Sequence, residues 1–307
     1  MDNICHTLVG AVCGEAGLKT RSRFASATLM IAANLPDIDV AVFATSLPSV
    51  AFRRGITHGI LAQALLPPLL ALVMWTLGRR RPAPGDPPAH LWWLVALSYL
   101  GVLSHVGLDY LNNYGVRLLM PLSGRWFYGD TLFIIDPWMW AVMGIGVWWS
   151  RRRGSSRPAR NALWLTAVYV VLMLVAAGAA RQTVIDAWIA RAGAPPRALM
   201  VGPRPVSPLV RDVIVDAGDH YVTGTFTWLP ASVRFNEATV QKNDQDPAVA
   251  EALRDPEVQG FLVWSRFPAF TLDRSADGVL VQVGDMRFSA VQRVLGRSGF
   301  RAETVVR

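Results

Sequence analysis

The chain has 307 residues, 52% of them hydrophobic, and carries 30 Lys/Arg against 22 Asp/Glu for a net charge of +8. Up to residue 180 there are fifteen Lys/Arg but only eight acids, whereas from Arg181 onward fifteen Lys/Arg face fourteen Asp/Glu. The basic excess sits in short clusters between apolar segments, the pattern of membrane loops, which argues against nucleic acid as the partner.

The amino-terminal stretch lacks a charged leading region and a small-residue cleavage pattern, so no secretory signal is expected. Ile4–Gly17 reads as a short helix, and Cys5 and Cys13 on it as buried apolar residues rather than a disulfide framework. Phe24–Leu35 is a second apolar run ended by Pro36, and Val40–Phe52 a third, interrupted by Pro48. Together they read as a helical hairpin around the basic turn Lys19–Arg23; a single span from Phe24 to Leu47 is the competing reading.

A membrane span needs roughly 20 apolar residues. Ile60–Leu77, Leu91–Leu108 and Ala162–Ala180 meet that length, with Pro67-Pro68 expected to kink the first. Trp138–Ser150 is shorter and reaches spanning length if it is extended backward through Phe133-Ile-Ile135. From Arg181 the composition is that of a soluble domain. Gln182–Arg191 continues the last span as a helix, and Pro195 to Pro208 reads as an irregular linker. His220–Leu229, Gly260–Arg266, Ala269–Asp273, Val279–Val283 and Met286–Ala290 read as strands, Ser275–Gly278 as a turn, and Pro247–Arg254 as a short helix. The expected fold is a polytopic α-helical membrane bundle (1–180) with a C-terminal soluble β-rich α+β domain (181–307).

Three basic clusters orient the bundle: Lys19/Arg21/Arg23, Arg79-Arg80-Arg81, and Arg151–Arg153 with Arg157 and Arg160. Lys and Arg collect on the cytoplasmic side, which puts the tail outside and residues 79–90 and 151–161 inside. On this topology Asp37, Asp39, His58, His105, Asp109, Asp130 and Asp136 all fall at the outer ends of their segments, as does His6 if its helix runs inward. Ionisable groups at a bilayer are costly and usually functional.

Asp37 and Asp39 follow a proline in an otherwise apolar run, where helix capping is the bland alternative. His105 and Asp109, four apart, share a helix face and suit two ligands or a ligand with its orienting carboxylate. His58 gains weight from lying at the same level. Asp136 or Asp130 is the expected general base or remaining ligand, with Asp136 before Pro137 also a good helix start. Arg53, Arg54 and Arg125, with Arg117, lie on the outer face and are expected to hold an anionic group. Histidine and carboxylate donors without thiolates favour one or two divalent ions: zinc first, then manganese, iron or magnesium. His90 falls on the cytoplasmic side and His220 in the tail, and both are set aside.

The amino-terminal histidine, Leu35-Pro-Asp-Ile-Asp39, Arg54-Gly-Ile-Thr-His58 and His105-x-x-x-Asp109 resemble the YdjM-like family of LexA-regulated, membrane-bound metal-dependent hydrolases over roughly residues 1–180. The resemblance implies a multi-pass protein of the bacterial inner membrane and carries ligand roles onto His6, Asp37, Asp39, His58, His105 and Asp109. The expected function is hydrolysis of an amphiphilic, lipid or lipid-linked phosphate or ester at the outer membrane–water interface. A metal or proton transporter is the alternative, although no acid or histidine of this set continues the path to the inner ends of Ile60–Leu77 and Leu91–Leu108. A metal-stabilised scaffold is the third.

Overall fold

The computed structural model describes residues 1–45, 48–80, 85, 87–288 and 301–306. Two compact units emerge: Met1–Val40 with Arg54–Ala176, and Ala41–Arg53 with Ala177–Arg307.

The first unit is helical. Its α1 (Asn3–Glu15) is started by Asp2, whose carboxylate accepts from the amides of Ile4 and Cys5, satisfying two otherwise orphaned donors. α1 packs on α2 (Ala25–Ala32), and the approach is so close that a Cβ at Gly10 would sit 2.7 Å from the Met30 Cα. The expected hairpin is therefore present. A 3-10 segment, Leu35–Ala44, follows α2 at a bend of 51°, so Phe24–Leu47 is not one straight span. After α3 (Ser49–Phe52), which belongs to the second unit, come α4 (Ile60–Arg80), α5 (Leu91–Tyr110), α6 (Pro137–Arg153) and α7 (Arg157–Ala192).

α4, α5 and α7 are long and apolar enough to cross a membrane, and the bent pair of α2 and the 3-10 segment would make a fourth if it is one span. Leu61, Leu65, Leu69 and Leu72 of α4 and Leu165, Val168, Leu172 and Val175 of α7 are exposed. Such apolar surface suits a lipid environment rather than water. Pro67 and Pro68 lie inside α4 without ending it. The backward extension of α6 does not occur: Asp136 caps the helix, Pro137 opens it, and Phe133–Ile135 are non-helical. Its 17 residues reach only about 26 Å at 1.5 Å each.

The basic clusters converge on one end of this unit. Glu15 pairs with Lys19 (2.6 Å) and Arg151 (2.9 Å), and Arg23 donates to the Gly78 carbonyl (2.8 Å). Arg81 lies outside the described residues.

The second unit holds two antiparallel sheets. β1 (Ala198–Pro203), β2 (Val210–Asp216), β3 (His220–Trp228) and β4 (Ala231–Gln241) form one in sequence order; β5 (Pro268–Ser275), β6 (Gly278–Asp285) and β7 (Arg301–Val306) form the other. Val201, Val213, Val215, Val222 and Phe226 pack around Trp188 of α7. The tail is thus β-rich, with α8 (Pro247–Ala252) and α9 (Pro256–Trp264) between the sheets in sequence.

Three local expectations fail. Gly260–Arg266 is not a strand: Asp255 caps α9 by accepting from Glu257 and Val258, Pro256 opens it, and Val258, Phe261 and Trp264 bury one helical face. Met286–Phe288 is a 3-10 turn rather than a strand, and residues 289–290 lie outside the described set. The stretch 195–208 contains β1 and is not merely a linker.

Candidate metal centre

Three pieces of the first unit bring the chemistry together: the 3-10 segment after α2, the turn before α4, and the last turns of α5. Asn34 ties the end of α2 to α1 by donating to Thr7 Oγ1 (3.0 Å) and to the Met30 carbonyl (2.8 Å). Beyond it Asp37 and Asp39 are buried while Ile38 and Val40 are exposed, so this segment turns its acids inward and its apolar residues outward. His58 closes the 3-10 turn Ile56–His58 and is fully buried. His105 and Asp109, one turn apart on α5, are fully buried as well.

Donor atoms of Asp37, His58, His105 and Asp109 all lie within 4.8 Å of one another, and the four can hold a metal ion. The two Nε2 atoms of His58 and His105 are 3.1 Å apart. Asp109 Oδ2 is 3.4 Å from the first and 3.6 Å from the second, and Asp37 Oδ1 is 3.9 Å from each. Around a tetrahedral zinc ion, bonds of about 2.0–2.1 Å would put two nitrogens about 3.3 Å apart.

The tautomers follow from the surroundings. His105 Nδ1 is 2.7 Å from the Ala33 carbonyl, which can only accept, so Nδ1 carries the proton and Nε2 presents a lone pair. Thr57 Oγ1 donates to Asp39 Oδ2 (3.2 Å) and thus accepts from His58 Nδ1 (3.1 Å), with Asp39 Oδ2 itself 3.6 Å from that nitrogen. Two Nε2 lone pairs then face each other at hydrogen-bond distance, an arrangement that calls for a cation between them. Burial pushes the His58 imidazole below its ordinary range, against the pull of Asp109. Neutral imidazole is the form that ligates metals.

Asp39 lies beside the four rather than among them, bound to the Arg54 amide (2.7 Å) and to Thr57. His6 is buried, stacked on His105 at 3.8 Å between ring centroids, with Nε2 3.3 Å from Asp109 Oδ1. Arg54, expected to hold a ligand anion, is buried and grips Asp109: its Nε is 2.9 Å from Oδ2 and its Nη2 3.1 Å from Oδ1. It also donates to Asn112 Oδ1 (3.0 Å) and covers the Tyr114 ring. The Met1 α-amino group pairs with the same Asp109 carboxylate.

Asp136 caps α6 through the amides of Trp138 and Met139 (3.1 Å each) and accepts from the Tyr169 hydroxyl (2.8 Å). Asp130 adopts a left-handed backbone in the loop before α6. Arg125 lies exposed over Phe127, and Arg53 belongs to the second unit, its guanidinium over Phe43. His90 precedes α5 at the end opposite His105, and His220 pairs with Asp219 (2.7 Å) in the tail. Sequence reasoning missed Asn112; the polar pair Asn112-Asn113 directly after an apolar span was the available signal.

Three helices long and apolar enough to cross a membrane, in a chain that also holds a buried His–Asp group, define a class: a helical protein with candidate membrane spans and a candidate metal centre. The chain belongs to the YdjM inner membrane protein family, whose model matches residues 1–184. No curated protein and no solved structure matches it.

Proposed function

We propose that the protein is a metal-dependent hydrolase acting at the outer membrane–water interface on an amphiphilic phosphate or ester. The observation that carries this reading is the pair of Nε2 lone pairs at 3.1 Å, flanked by Asp37 and Asp109. Two imidazoles and two carboxylates suit zinc best among common divalent ions. A bound divalent ion would supply Lewis acidity and lower the pKa of its water.

The chain's own groups divide the remaining work. The Ala33 carbonyl and the Thr57–Asp39 pair hold the two imidazoles in register, and Arg54 holds the Asp109 carboxylate in place. His6, with Nε2 3.3 Å from Asp109 Oδ1 and its ring stacked on that of His105, would hold these two groups in place during attack. Asp136 already binds two amides and a hydroxyl, which favours a capping role over that of base. The convergence of the basic clusters, away from the end of α5 that carries His105 and Asp109, supports placing the site and the tail on the extracytoplasmic side.

The test is purified protein in nanodiscs, stripped by chelator, reloaded with zinc or manganese, and screened against phospholipids and lipid-linked phosphates. Turnover should vanish on chelation and fall by about a hundredfold or more in His105→Ala and Asp37→Asn. His6→Ala should retain metal and lower turnover; metal loss would instead make His6 a ligand. Activity that survives both chelation and Asp37→Asn would overturn the proposal.

A further inference from the structure

Residues 41–53 form an excursion of the chain that begins and ends at the metal centre. Asp39 stands just before it, and Arg54, Thr57 and His58 follow it. Both ends belong to the first unit, yet Ala41–Arg53 is part of the second. The ends are clasped directly, since the Arg54 amide donates to Asp39 Oδ2 (2.7 Å). Arg54 turns there with φ of 53°, a left-handed backbone that residues other than glycine rarely adopt unless their surroundings fix it. Its carbonyl is held as well, accepting from the Arg117 amide (3.0 Å). The Arg54 side chain grips Asp109, so the placing of this turn bears on one of the four grouped residues.

Within the second unit the excursion rests on α9. α3 packs against that helix, and Pro48, which precedes α3, meets it at Gly260. A Cβ at Gly260 would lie 2.3 Å from Pro48 Cβ and 2.6 Å from Pro48 Cγ, with Ala51 Cβ at 3.8 Å. Glycine inside a helix is less favourable than alanine, so α9 would be better built with alanine at 260 if nothing lay over it. The Pro48 ring lies over it. Val258, Phe261 and Trp264 bury one face of α9, and Gly260 is buried under this second contact.

We infer that the tail is a positioning element of the metal centre, acting through the seat of Pro48 on Gly260. The inference rests on reading Asp37, His58, His105 and Asp109 as a metal site, and not on the reaction that the metal performs. Asp37 and Asp39 come from one end of the excursion and His58 from the other. A loop left free between them would let the two ends vary independently, and metal binding would have to freeze that freedom. Seating the loop at its middle removes the freedom beforehand. Gly260 and Pro48 are positioning residues, acting on the centre through Asp39 and Arg54.

The experiment uses full-length protein in nanodiscs, with cobalt(II) as a spectroscopic stand-in for zinc. Gly260→Ala adds the one methyl group for which the seat has no room. It should weaken cobalt binding about tenfold, as loss of other groups that orient ligands does, and alter the visible cobalt bands. It should also speed amide hydrogen exchange in the peptide containing Arg54–His58 about tenfold. On helix propensity alone the same change would stabilise α9, so a loss has its origin in the contact. In a Pro48→Gly background, where the ring is gone, Gly260→Ala should cost little. Phe226→Ala, which opens the cluster around Trp188, should lower the melting temperature and leave the cobalt and exchange readouts unchanged. Wild-type cobalt bands and exchange in Gly260→Ala, whatever its melting temperature, overturn the inference. So does an equal loss in the Pro48→Gly background or in Phe226→Ala. Exchange that responds to Gly260→Ala in a protein that binds no cobalt sinks the metal reading instead, and leaves the hold of the seat on residues 54–58 standing.

Discussion

Asp39 occupies the position of a carboxylate that serves a metal centre from behind a histidine. It accepts from the Arg54 amide and from Thr57, and lies 3.6 Å from His58 Nδ1. Loss of such an orienting group costs about 10–100-fold in metal affinity. Asp39→Asn should accordingly weaken zinc binding by that factor, measured by competition with a chromophoric chelator, whereas His105→Ala should abolish it and His220→Ala leave it intact. Complete loss in Asp39→Asn would make Asp39 a ligand. In the tail, Asp285 is buried and accepts from Ser265, the amides of Arg266 and Phe267, and Arg287. Burial alone would raise its carboxyl, but the Arg287 guanidinium and these hydrogen bonds hold it below the usual range. Its contribution to stability is therefore full above the unfolded carboxylate pKa of about 4 and is lost as pH falls through the lower folded value. Asp285→Asn should cost about 3–5 kcal/mol at pH 7 and narrow the gap from wild type in melts at pH 3. An equal gap at both values would contradict the ion-pair account. The cluster residues were legible because charged groups stand out at the ends of apolar spans. Their roles were not: spacing does not say which imidazole nitrogen points inward, nor that Arg54 is buried against Asp109 instead of facing a substrate.

At the scale of elements, the centre depends on how closely α5 approaches α2. A Cβ at Gly101 would lie 2.4 Å from the Ala32 Cβ and 2.9 Å from the Ala33 amide nitrogen, so only glycine permits this contact. Small residues at helix contacts let backbones approach in this way. Gly101→Val should push α5 away, lengthen the His105–Ala33 hydrogen bond and lower zinc affinity although residue 101 is no ligand. The chelator competition and a thermal melt together check this; a destabilised protein with wild-type zinc affinity would contradict it. The long helices α4, α5 and α7 were readable from apolar length alone. α6 was over-extended because Phe133-Ile-Ile135 is apolar, and Asp136-Pro137 was the stronger signal, a cap followed by a residue fit for the first turn. Asp255-Pro256 carried the same message for α9, where an apolar run was read as a strand. β4 escaped because it is largely exposed along its length, so its sequence shows little apolar alternation.

At the scale of the whole chain, orientation is the open prediction. In a Cys5→Ala/Cys13→Ala background, a cysteine at Asp277 should react with an impermeant maleimide applied to intact spheroplasts, and one at Arg152 only after lysis. The opposite pattern would invert the topology and place the metal group on the cytoplasmic side. The division of the chain was legible as a change in composition near residue 181, yet the compact units part at 176/177 and residues 41–53 belong to the second. Composition cannot show either point, because α7 continues without a break through the change and because 41–53 is a short apolar stretch like those around it.

The acceptor that aims His105 is a backbone carbonyl, and that has an evolutionary consequence. A side-chain partner can be lost by one substitution, but every residue placed at 33 brings the same oxygen. Selection on the aim of this imidazole therefore cannot act on the chemistry of position 33. It acts on bulk at Ala32, Ala33 and Gly101, where a larger side chain would move the oxygen instead of removing it. Descendants that abandoned the metal would be expected to show it first as relaxed size at these three positions, while the histidines still stood in place.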